Sequence, residues 1–124
     1  MTLTDGQAVT LARALLVARH EVLNAEQPVA LGGWNPVENM TYALRERRAV
    51  AQAKFETICA TAAVFNVGED WVDISVMTAD TCDELPVPEA YMFAPSGSLA
   101  HSAYQRYLVQ QVDLLAKKLK ATTR

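Results

Sequence analysis

Apolar residues recur at spacings of three and four along three long stretches of this chain, and they alternate along a short fourth stretch. In the first stretch, Val9, Leu11, Leu15, Leu16, Ala18, Val22 and Leu23 recur at helical spacing, while Arg13, Arg19 and Glu21 can stay in water. The pattern predicts a helix from about Asp5 to Asn24. Thr4 is its candidate N-cap, with Gln7 at the capping-box position. Pro28 disfavours helical geometry at Gln27 and ends the element. A connector, "PVALGGWNP", follows, in which Trp34 is expected to fold back as a lid on the core.

The second stretch starts strongly. Asn35 suits an N-cap, Pro36 the first helical position, and Glu38 complements both the cap and the dipole. Val37, Met40, Leu44, Ala51, Phe55, Ile58, Ala62 and Phe65 form its apolar stripe. The stripe predicts a helix of about thirty residues, with a kink or break where Arg47 and Arg48 interrupt it. Asn66 and Gly68 are the stop signal.

The alternating stretch is "WVDISVMT", Trp71 to Thr78, where Val72, Ile74 and Val76 alternate with Asp73, Ser75 and Met77. Period two with β-branched residues predicts a strand. After the turn-like "ADTCDELP", the run "VPEAYMFA" reads either as a second strand pairing back or as a short helix starting at Pro88. The last helix is expected to start after Ser96 or Ser98 and to reach about Ala121. Its row is Tyr104, Leu108, Gln111, Leu115 and Leu119, widened by Tyr107, Val112 and Leu114. Residues 1–124 are therefore expected to form one compact, mainly helical α+β domain. Its three helices, two of them long, would pack around a small β element between the second and third.

The run "ICATAAVFNVGEDWV" resembles the helix-turn-helix pattern of bacterial DNA-binding proteins. An Ala lies near the middle of one helix, a tight turn falls at Asn66 to Gly68, and Val72 supplies an apolar residue beyond it. The resemblance implies a second helix from near Glu69 and a DNA-binding regulator. It departs from the family where bases and phosphates would be met, because Glu69, Asp70 and Asp73 stand at those positions.

Charge sharpens that departure. Between Asn66 and Tyr91 there are seven acidic residues and no Lys or Arg; the rest of the chain carries eleven basic residues against seven acidic ones. The middle is thus strongly negative and the remainder mildly positive. Such a segment repels phosphate. It points to an acidic face made of Glu69, Asp70, Asp73, Asp80, Asp83 and Glu84, directed at a protein partner with a basic surface.

Other chemistry is sparse. "DTCDE" offers Asp80, Asp83 and Glu84 as oxygen ligands but lacks the spacing and glycine of a calcium loop. Arg13 and His20 fall at an R-x6-H spacing found in some helical ribonucleases. No base and orienting partner can be assigned for a hydrolase, and no glycine-rich phosphate loop is present. "RERR", Arg45 to Arg48, and Lys117, Lys118 and Lys120 read as solvated basic positions. Cys59 and Cys82 are not in a CxxC pair and read as free thiols, which suits a cytoplasmic protein. "MTLTDGQ" lacks the basic start of a signal peptide, and no apolar run is long enough to span a bilayer.

The expectation is a non-catalytic protein-interaction or regulatory module, in the style of a small bacterial or phage accessory or inhibitor protein. It would act without cofactor, metal or membrane and with little affinity for nucleic acid; the long apolar stripes also suit a homodimer. Two alternatives are a helix-turn-helix-like DNA-binding regulator and a small-molecule-binding enzyme joining Arg47, Tyr42 or His101 to the acidic loop.

Overall fold

The computed structural model describes residues 3–26, 37–64, 70–86 and 97–122. Among them are four helices: α1 (Asp5–Glu26), α2 (Val37–Ala63), α3 (Trp71–Glu84) and α4 (Leu99–Thr122). α1 lies against α2 and α4, α3 closes the ring against both, and α1 also touches α3.

Local hydrogen bonding sets the helix starts. At α1 the Gln7 amide donates to Thr4 Oγ1 at 3.2 Å and the Thr4 amide donates to Gln7 Oε1 at 3.0 Å, the reciprocal box expected from the sequence. At α4 the His101 amide donates to Ser98 Oγ at 3.1 Å, so Ser98 caps the helix. α2 runs unbroken through Arg47 and Arg48, where the interrupted stripe had suggested a kink or break.

The α+β expectation is overturned. The described residues contain no strand, and "WVDISVMT" is the first part of α3. Two physical facts select the helix. Asp70 and Asp73 form a capping box: the Asp73 amide donates to Asp70 Oδ1 at 2.9 Å and the Asp70 amide to Asp73 Oδ2 at 3.2 Å. The covered positions are Ile74, Thr78, Thr81 and Cys82, a helical stripe. Val72 and Val76, which made the segment look like a strand, are both exposed. The two buried threonines satisfy their hydroxyls within the helix, Thr78 donating to the Ile74 carbonyl at 2.8 Å and Thr81 to the Met77 carbonyl at 2.9 Å.

All four helices contribute to one core. Leu15 and Leu16 of α1, Phe55 and Cys59 of α2, Ile74 of α3, and Leu108, Leu115 and Leu119 of α4 are all buried. On α1 the inward row also uses Ala8 and Ala12, while Val9, expected to be inside, is exposed. Small residues there let the neighbouring helices approach closely. The guanidinium of Arg19 sits 6.0 Å from the centre of the Phe55 ring. The Trp34 lid, the Asn35–Pro36 helix start, the Asn66–Gly68 stop and residues 87–94 lie outside the described residues.

Candidate functional site

The six acidic residues singled out from the sequence stand in different local settings. Asp70 and Asp73 are the two halves of the α3 capping box. Glu84 accepts a bond from Lys118 Nζ of α4 at 2.6 Å, and the same ammonium donates to Thr81 Oγ1 at 3.1 Å. Glu69 lies outside the described residues. Asp80 and Asp83 are exposed, and no described cation bridges them. They share the outward side of α3 with Val72 and Val76, because residues 72, 76, 80 and 83 follow helical spacing opposite the Ile74–Thr78–Thr81–Cys82 stripe. Local structure thus consumes three of the carboxylates and leaves a smaller surface of two carboxylates and two valines.

A second cluster, unforeseen in the sequence analysis, lies inside the bundle. The Tyr104 hydroxyl of α4 lies 2.7 Å from Nδ1 of the buried His20 of α1. Their rings meet edge-on with centroids 5.4 Å apart, and His101 approaches Tyr104 at 6.3 Å. Gln111, fully buried one helical row further along α4, donates from Nε2 to the Leu85 carbonyl just past α3, at 2.5 Å. Among the described residues, His20 Nε2 and Gln111 Oε1 have no hydrogen-bond partner. If Tyr104 donates to Nδ1, the imidazole proton sits on Nε2, and Nε2 is then a donor in the same cluster as the acceptor Gln111 Oε1.

Electrostatics follow burial. Desolvation lowers the pKa of His20; the Gln111 amide partly opposes this and the Arg19 charge adds to it. Burial likewise raises the Tyr104 phenol. It pushes the Cys59 thiol up to about 12 and the Cys82 thiol up to about 11. Both cysteines are free, buried and far from a reactive thiolate state at neutral pH. His20 is buried while Arg13 on the same helix is exposed, so the two do not form an accessible phosphodiester-cleaving pair.

A groove of about 530 Å³ runs along α1, lined among the described residues by Leu3, Thr4, Gly6, Gln7, Thr10, Leu11 and Ala14. It includes no charged side chain, and neither Arg47 nor His101 belongs to it. Its hydroxyls are turned inward on the helix, with Thr10 donating to the Gly6 carbonyl at 2.8 Å. Among the described residues no three His, Cys, Asp or Glu side chains gather as metal ligands. No described helix is long and apolar enough to cross a membrane. No protein-family model, curated protein or solved structure matches the chain.

Proposed function

We propose that this protein is a non-catalytic interaction module whose α3 outer face docks on a basic segment of another protein. The supporting observation is the pairing of unbridged Asp80 and Asp83 with exposed Val72 and Val76 on one side of one helix. Charge steers the encounter, and the valines supply apolar area once the surfaces meet. An accessory or inhibitory role follows if that basic segment is one with which a nucleic-acid-handling protein grips phosphate.

The test is affinity capture from the source lysate after nuclease treatment, comparing the native chain with Asp80→Lys/Asp83→Lys. Capture of a basic protein by the native chain, and its loss in the double variant, is the expected result. Equal capture by both chains removes the α3 face from the mechanism. Capture that disappears on nuclease treatment, with a gel shift that fades as salt rises, would instead support the DNA-binding alternative.

A further inference from the structure

The outward side of α2 is exposed from residue 45 to its C-terminal end. Val50, Ala53, Thr57, Ala60, Thr61 and Val64 are all exposed at helical spacing, with Val50 at 63% and Val64 at 76%. The face spans about 21 Å at the helical rise per residue. It is effectively apolar, because Thr57 donates its hydroxyl to the Ala53 carbonyl at 2.8 Å and Thr61 donates to the Thr57 carbonyl at 2.9 Å. Lys54, at its edge, is bridged to Glu21 of α1 at 3.0 Å. Toward the N-terminal side the exposure widens. Residues 45–50 are exposed in succession, which takes in every side of the helix. A helix in water draws most of its stability from a covered face, and along 45–50 every described position is exposed.

We infer that a second copy of this chain covers this face, with the two α2 helices antiparallel about a two-fold axis at Thr57. The face is close to symmetric about Thr57: Val50 and Val64 stand seven residues to either side, the small residues Ala53 and Thr61 four to either side, and only the edge positions Lys54 and Ala60 differ in kind. Antiparallel pairing therefore sets Val50 against the partner's Val64 and Ala53 against the partner's Thr61. Charge fixes the direction. Arg45, Arg47 and Arg48 lie beyond Val50, and no basic residue occupies the last turn of α2. Antiparallel pairing carries these arginines toward the negative C-terminal end of the partner's α2. Parallel pairing would instead lay the two arginine clusters side by side. This contact is separate from the Asp80–Asp83 surface and stands or falls independently of it.

Variants of the full chain with one added surface cysteine test the arrangement, since both native thiols are buried. A mixture of Val50→Cys and Val64→Cys proteins is expected to yield the crossed disulfide-linked dimer under mild oxidation, in at least fivefold excess over either homodimer. The exposed Asp113→Cys control is expected to stay largely monomeric. Sedimentation velocity of the native chain is expected to show a dimer that grows with concentration. Val64→Glu is expected to weaken that dimer at least tenfold while leaving the helical circular-dichroism signal unchanged. A native chain that stays monomeric at all concentrations, a preference for Val50–Val50 linkage, or equal linkage through Asp113→Cys would each overturn the inference.

Discussion

Tyr104 of α4 holds His20 of α1 at 2.7 Å, joining two helices whose contacting residues are 84 positions apart. The hydroxyl occupies Nδ1 of an imidazole that has almost no access to water. It ties the two helices at one rotation, which an apolar contact alone would fix less strictly.

Tyr104→Phe keeps the ring and removes the hydroxyl, leaving Nδ1 buried without a partner. A loss of about 1–3 kcal/mol is expected, read as a lower urea midpoint with an unchanged slope. A change below a few tenths of a kcal/mol would mean that the bond contributes nothing net.

The same imidazole makes stability depend on pH. Its folded pKa is lowered from 6.5, first by desolvation. The unfolded chain therefore takes up the proton more readily than the folded one. The stabilisation is complete above pH 6.5 and is lost as pH falls from there toward the folded value. Thermal melts between pH 8 and 5 should show a falling midpoint, and His20→Gln should flatten that slope. The lowered pKa of Asp5, set by its hydrogen bond to Lys120, contributes only further down, below its ordinary 3.8. An identical pH slope in His20→Gln would assign the effect to other groups.

Asp70 and Asp83 are both acidic and exposed, yet they should behave differently. Asp70→Ala removes half of the α3 capping box and should cost about 1 kcal/mol. Asp70→Ser, which keeps a capping oxygen, should recover most of that. Asp83→Ala, with no ion pair to lose, should stay within about 0.5 kcal/mol of the native chain. Denaturant titrations of the three variants check the order.

Cys59 and Cys82 should be unreactive in the folded chain. Burial holds their pKa values up at about 12 and about 11. An aromatic disulfide reagent at pH 8 should label neither within minutes and both in guanidinium. Rapid labelling of the native protein would show that the bundle opens near these thiols.

The core residue with most to lose is Phe55, which is 1% exposed and shares its ring face with Arg19. Phe55→Ala should cost about 3–5 kcal/mol. Thermal denaturation would show this as a collapsed or absent transition.

The acidic surface was legible only as a total. Charge counting singled out six residues, but the roles of Asp70, Asp73 and Glu84 depend on a capping geometry and on Lys118 of a helix 34 positions away. Asp80 and Asp83 are what remain once those neighbours are in place. The His20–Tyr104–Gln111 cluster was not legible at all. Gln111 looked like one more member of an apolar row, and His20 stood out only for its R-x6-H spacing to Arg13.

The sequence by itself determined the helix start at Thr4, narrowed that of α4 to Ser96 or Ser98, and set the long stripes of α2 and α4, because capping bonds and helical periodicity act within a few residues of chain. The tertiary structure, together with the Asp70–Asp73 capping box, decided α3. "WVDISVMT" satisfies two periods at once, since Ile74 belongs both to the Val72–Val76 alternation and to the Ile74–Thr78–Thr81–Cys82 stripe. Short β-branched segments carry no local preference strong enough to choose between them. The neighbouring helices chose, by covering one side of α3 and leaving both valines in water.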